Sequence, residues 1–378
     1  MVILLLINVG GRFWAMYQIN KIYPPDNVTS NGKTVCIHFN KSLFFFTPAG
    51  DLQQRLELAD LDINGGVADL ELLEEGSILI GDMETKEILR CDIENLSCTK
   101  IGPVKGYTIN DYFKFLTDET RDMLFISDTN NHRLLVQDME GTYINELEST
   151  SNINYPNDMT FDQNGLLWVS NTFHERILPF EVIEGDTAVE KENPIKTGKQ
   201  SIEIVKNLLE KNDPKRSLEN IKDDLKNIRK APKELKHAFK HTRPLAIAWG
   251  PDGNIWVAAS DPYITTAGVR VFNDEGKQIR RIALKEKSIP EDIIRAGDTI
   301  LVADTGVFQV FSVTPASGEV APFGDKTFQN ELLQAYSTLN FYHDIKKWTK
   351  YSILLLAIGT AILAFLILRK KRSIKKPA

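Results

Sequence analysis

Six short apolar runs, each closing on a small or polar residue, punctuate most of the chain. They are VCIHFN at Asn40, ILIGD at Asp82, LFISD at Asp128, LWVSN at Asn171, WVAASD at Asp261 and ILVAD at Asp304. Their spacings are 42, 46, 43, 90 and 43 residues, so the long gap reads as one period plus an insertion of about 47. A turn-forming residue precedes most runs: Gly76, Asp122, Gly165, Gly253 and Asp298. A second apolar segment follows nearly all of them, as in EILRCDI, RLLVQDM, RILPFEV, VRVFNDE and FQVFSVT, and then a turn such as EGT, DEGK or ASGE. Short strands with turn signals at this regularity predict four-stranded blades, and six of them close into a ring without free sheet edges. A β-sandwich offers no reason for the constant period.

Elsewhere the pattern changes to helical spacing. Residues 185–243 carry apolar positions at Ile202, Val205, Leu208 and Leu209, then at Leu218, Ile221, Leu225 and Ile228, with breaks at Pro214 and Pro232. This predicts a helical insertion of two or three amphipathic helices. It would act as a packed hairpin, a lid, or a docking surface for a protein or for anionic lipid. Residues 327–350 predict a helical stalk. Residues 351–368, YSILLLAIGTAILAFLIL, hold no charge over 18 positions, the length of a transmembrane helix. The expected organisation is an N-terminal segment 1–29, blades one to four in 30–184, the insertion 185–243, blades five and six in 244–326, stalk, span, and basic tail 369–378. The run Val2–Val9 suits an uncleaved signal, a clipped gene start or a first strand.

Charge refines this picture. The chain of 378 residues has a formal charge of −6, which argues against nucleic acid as a partner. The tail RKKRSIKKPA is basic, while Lys346, Lys347 and Lys350 precede the span, so the positive-inside rule places the tail in the cytoplasm and the propeller outside. The insertion holds 15 basic and 10 acidic residues, leaving the remainder strongly acidic. Three cysteines make no disulfide framework. Cys91 and Cys98 bracket a turn and suit either a disulfide or two thiols, and Cys36 reads as a buried hydrophobe. Sequons occur at Asn27, Asn40 and Asn95.

Trp168 and Trp256 recur at one place in their blades and are expected to pack between neighbouring sheets. His132 and His174 also recur, which favours turn-stabilising hydrogen bonds over a catalytic base. DMLFISDTNNHRLLVQDMEGTYI resembles an NHL repeat: an apolar strand, Asp-x-x-Asn-His-Arg, a second strand, then a turn with glycine. PNDMTFDQNGLLWVSNT and RPLAIAWGPDGNIWVAAS resemble its first half, and also blades of the gluconolactonase/senescence-marker and paraoxonase propellers. The resemblance covers roughly residues 30–325 and implies a six-bladed β-propeller. It carries no activity by itself, since NHL propellers mostly bind partners while their calcium-dependent relatives are hydrolases.

In those hydrolases a Ca2+ near the channel is held by Asn, Asp and Glu of the innermost strands. The matching candidates for a metal site are Asn110, Asp111, Asn157, Asp158 and Asp292, with Glu291 and Asp69 beside them; the fifth blade offers Leu245 and Ala246 instead. No phosphate loop, HExxH, CxxC or GxSxG motif is present. No catalytic residue is therefore assigned. The expectation is an all-β, membrane-anchored propeller acting as a non-catalytic scaffold or recognition module for another membrane or envelope protein. The alternative is a calcium-dependent lactonase or esterase acting on a small molecule, resting on Asn110, Asn157 and Asp292.

Overall fold

The computed structural model describes residues 2–103, 107–109, 112–147, 152–183, 188–191, 194–196, 243–260 and 267–374. These fall into two compact units, a propeller of Pro25–Gln329 and a helical unit drawn from both ends of the chain.

The propeller holds six antiparallel sheets, each built from strands consecutive in the chain. Blade I is β1–β4 (Asn27–Ser30, Val35–Phe39, Ser42–Phe46, Leu52–Glu57), and blade II is β5–β8 (Val67–Leu72, Ile78–Asp82, Glu87–Asp92, Ser97–Gly102). Blade III is β9–β12 (Phe113–Asp118, Met123–Asp128, Arg133–Gln137, Tyr143–Glu146). Blade IV is β13–β17 (Pro156–Phe161, Leu166–Asn171, Arg176–Val182, Ala188–Glu190, Ile195–Lys196). Blade V is β18–β21 (Arg243–Trp249, Ile255–Ser260, Ala267–Phe272, Gln278–Ala283), and blade VI is β22–β25 (Pro290–Ala296, Thr299–Asp304, Gln309–Val313, Val320–Pro322). Blade I thus starts at Asn27, three residues before the expected boundary, and the Asn27 sequon is buried. The fourth blade also reaches further than expected. β16 and β17 both pair with β15 and lie inside the range read as insertion. Residues 197–242, which carry the expected helices, lie outside the described residues.

The core sits between blades, because each sheet buries both faces against its neighbours. Trp168 packs with Ile247, Ile255 and Val257 of blade V, and Trp256 with Ile293, Ile300 and Val302 of blade VI, as the repetition predicts. Their indole N–H groups donate to Asp162 and Asp252 at 3.1 and 2.9 Å. The periodic Asp and Asn residues hold turns: Asp304 Oδ1 accepts the amides of Ile289, Gly306 and Val307. His132 Nδ1 accepts the Tyr155 amide at 3.0 Å, and His174 Nδ1 bonds Asn152 O at 2.9 Å, so both histidines serve turns. Cys91 and Cys98 are ladder partners on β7 and β8 and form a disulfide; Cys36 is a buried free thiol.

α1 spans Val2–Ile19 and α2 spans Lys326–Ile374, so the N-terminal run is helix rather than strand. The expected stalk and apolar run are one continuous helix. Among the described residues no helix is long and apolar enough to cross a membrane. The side chains of Leu363, Leu366, Ile367 and Leu368, within the expected span, lie outside the described residues. The first turn of α2 belongs to the propeller, where Phe328 is buried with ring centroids 5.0 Å from both Phe44 and Phe46.

Candidate functional site: a lysine among three aspartates

The innermost strands β1, β5, β9, β13, β18 and β22 present one position each around the propeller axis. A backbone irregularity between Val67 and Asp69, between Pro156 and Met159, and between Pro290 and Asp292 sets those positions in blades II, IV and VI. An extra residue there re-aims the carboxylate out of the ladder. Each carboxylate then accepts a backbone N–H from the next blade. Asp69 Oδ2 accepts from Phe115 at 2.8 Å, Asp158 Oδ2 from Ile247 at 2.7 Å, and Asp292 Oδ2 from Val28 at 2.8 Å. Three of the six blade seams are therefore stitched by the same device.

The residues preceding those amides are Lys114, Ala246 and Asn27. β9 pairs with β10 without a shift along Phe113–Asp118, and the Lys114 side chain extends into the ring. Its Nζ lies 2.7 Å from Asp292 Oδ1, 3.8 Å from Asp69 Oδ1 and 3.9 Å from Asp158 Oδ1. Lys114 is 2 % exposed. A long aliphatic stem thus delivers one ammonium to oxygens left free by the backbone bonds.

Burial and charge oppose each other at the lysine and at two of the aspartates. Burial pulls the lysine down, but Asp158, Asp292 and Asp69 more than offset this and hold it well above its ordinary value, fully protonated. Burial pushes Asp69 well up against the opposing pull of Lys114, and it brings Asp158 up to about 7. Glu291, beside the ring, is also raised by burial. One ammonium cannot neutralise three buried carboxylates, so protons make up part of the difference.

On one side of this ring opens a cavity of about 540 Å³, running past Glu71 to Leu72, Phe161, Trp249 and Gly297 at the far ends of the inner strands. Glu71 accepts the backbone N–H and the hydroxyl of Thr117, yet burial carries it to about 7.

Of the expected ligands, Asp158 and Asp292 come together in the ring with Asp69. Asn157 is instead turned to the neighbouring blade, where its Nδ2 donates to Leu245 O at 2.5 Å. Asn110 and Asp111 lie outside the described residues. Among the described residues no group of three or more His, Cys, Asp or Glu side chains could hold a metal ion. The oxygens that converge are already engaged by three amides and an ammonium, a donor set suited to a fixed internal cation. Sequence reasoning missed Lys114, although FKF on an inner strand, aligned with ADL, NDM and EDI, marks a cation where other blades carry aspartate.

No family model and no curated protein sequence matches the chain. Solved structures do. A streptogramin B lyase matches at 12 % identity and TM-score 0.50, over 81 % of this chain and 84 % of that one. A putative gluconolactonase matches at 11 % and 0.51, over 80 % and 91 %. A catalytically inactive virginiamycin B lyase from Staphylococcus aureus, solved with quinupristin, matches at 13 % and 0.49, over 81 % and 86 %. At such identities the likeness to the first two is one of fold alone, and it agrees with the six-bladed β-propeller that the six sheets of this chain form.

Proposed function

We propose that this chain is a non-catalytic recognition or scaffold propeller, tethered by its C-terminal helix and facing another membrane or envelope protein from the extracytoplasmic side. The observation that carries the non-catalytic half is the Lys114 ammonium among Asp69, Asp158 and Asp292. A chain that supplies its own axial cation spends those carboxylates on seams between blades. A lysine held protonated is neither a nucleophile nor a base. What supports tethering is the uncharged run 351–368 with its basic flanks. The Cys91–Cys98 disulfide supports an oxidising compartment. The tether would concentrate a broad, rigid face beside partners in the same membrane.

One observation favours the calcium-dependent lactonase or esterase reading. Asp158 and Glu71, both held near 7, border the same cavity. Thermal unfolding of the full chain in detergent, first with EDTA and then across a Ca2+ series, separates the two. The scaffold reading expects no change in Tm up to millimolar Ca2+. A cation bound only by the folded state at a hundredfold excess over Kd adds about 2.7 kcal/mol, a rise of several degrees. A saturating rise abolished by Asp292→Ala would hand the channel to the hydrolase reading.

A further inference from the structure

The helical unit leaves apolar surface uncovered in an ordered way. On α2, Trp348, Tyr351, Leu355, Ile358, Ile362 and Phe365 recur at steps of three and four and are 48–72 % exposed. At 1.5 Å per residue this stripe is about 25 Å long, against roughly 30 Å of bilayer hydrocarbon. An uncovered apolar strip of that length marks an interaction surface.

α1 lies along α2 in antiparallel register. Ser352 Oγ donates to Asn8 Oδ1, a β-carbon on Gly11 would lie 3.5 Å from Thr349 Cγ2, and Trp14 meets Tyr342 edge-on with centroids 5.3 Å apart. As 8, 11 and 14 rise, their partners 352, 349 and 342 fall. This register carries the uncharged segment VILLLI of 2–7 onward beside the apolar half of α2. A small residue at the crossing and a side-chain hydrogen bond between helices are the devices that join helices in lipid.

Aromatic side chains gather along one stretch of the pair. Phe13, Trp14 and Tyr17 of α1 are 67, 48 and 59 % exposed, and on α2 Phe341, 59 % exposed, precedes Trp348 and Tyr351 by about two to three turns. Basic residues stand among them: Arg12 within α1 and Lys21 just past its end, and Lys346, Lys347 and Lys350 within α2. Aromatic rings and cations interleaved along this stretch, with uncharged helix beyond, suit the headgroup side of an anionic bilayer.

We propose that α1 is the second helix of the membrane anchor, its residues 2–9 embedded beside α2 and its aromatic residues at the headgroups. This rests on the tethering reading above and adds to it a site of lipid contact at Trp14 and a fixed pairing of the two helices. The pairing explains why Asn8, a polar residue in an otherwise apolar run, has its side chain bonded to Ser352.

The test uses the full chain reconstituted with vesicles of phosphatidylcholine and phosphatidylglycerol. Asn8→Cys with Ser352→Cys should cross-link on mild oxidation, joining N- and C-terminal peptides in the mass spectrum, whereas Asn8→Cys with Thr338→Cys should not. Independently, brominated lipid should quench Trp fluorescence in the parent chain, and Trp14→Phe should lose part of that quenchable signal. Flotation with vesicles together with both results supports the proposal. Flotation without the cross-link, or with quenching unaltered by Trp14→Phe, overturns it and leaves α2 as the sole anchor. Failure to float overturns it together with tethering, and a soluble dimer would then identify a second copy as the cover of the stripe.

Discussion

Blades III and V offer the same ring position and fill it in opposite ways. Blade III places Lys114 there and blade V places Ala246, while the following residues, Phe115 and Ile247, donate equivalent backbone N–H groups to the carboxylate of the preceding blade. The backbone bond is thus common to both blades, and charge compensation is concentrated in one. Asp158 shows the result. Its oxygen lies 3.9 Å from the ammonium, and burial brings its carboxyl up to about 7 against the pull of Lys114. A hydrogen bond settles where a buried carboxylate points; a full counter-charge settles whether it ionises.

The largest expected effect comes from making blade III like blade V. Lys114→Met removes the only ammonium within 4 Å of the three carboxylates among the described residues and should cost about 3–5 kcal/mol at neutral pH. The loss should shrink at pH 5, below the value of about 7 to which burial brings Asp158, and millimolar Ca2+ should restore part of it in this variant alone. Denaturant unfolding at the two pH values checks this. A loss independent of pH would mean that the stem of Lys114 matters and its charge does not.

A smaller effect is expected when the closest partner goes. Asp292→Asn keeps an oxygen for the Val28 amide, and Asp69 and Asp158 remain at 3.8 and 3.9 Å to hold the ammonium. The expected loss is about 1–2 kcal/mol. A loss equal to that of Lys114→Met would show that one ion pair, rather than the ring, carries the stabilisation.

The third expectation concerns a slope. Asp158 has a folded value near 7 against about 3.9 for an unfolded aspartate, so the folded state binds the extra proton. Its contribution to stability is fully present below about pH 4 and is lost as pH rises through 7. Other carboxyls add slopes of their own. Asp158→Asn should therefore flatten the fall in Tm between pH 5 and 7 relative to the parent chain, and an unchanged difference would show that Asp158 does not titrate there.

The blade count was legible because one hydrophobic device repeats: a strand ending in Asp or Asn that caps the next turn. His132 and His174 were legible for the same reason. The ring was half legible. Asp158 and Asp292 stand out beside proline in inner strands, but Lys114 reads as an ordinary solvent-facing lysine until the six inner strands are set in register. β16 and β17, three and two residues long, carry too little periodicity to be separated from the adjoining insertion. Asn157 has the inner-strand place of a ligand in the calcium-dependent propellers that the sequence resembles; only the packing of blade IV on blade V reveals that Leu245 O takes its amide.

The closing seam has a mechanical meaning. Because each blade is made of consecutive strands, no sheet among the described residues contains strands from both ends of the propeller segment, and there blades VI and I meet without a shared backbone ladder. The Asp292–Val28 bond crosses that junction at the axis. A pull applied between residues 25 and 329 would load side-chain contacts in sequence rather than a ladder in parallel. The ring should open at this junction like a clasp, with all six sheets still whole, before any blade unravels.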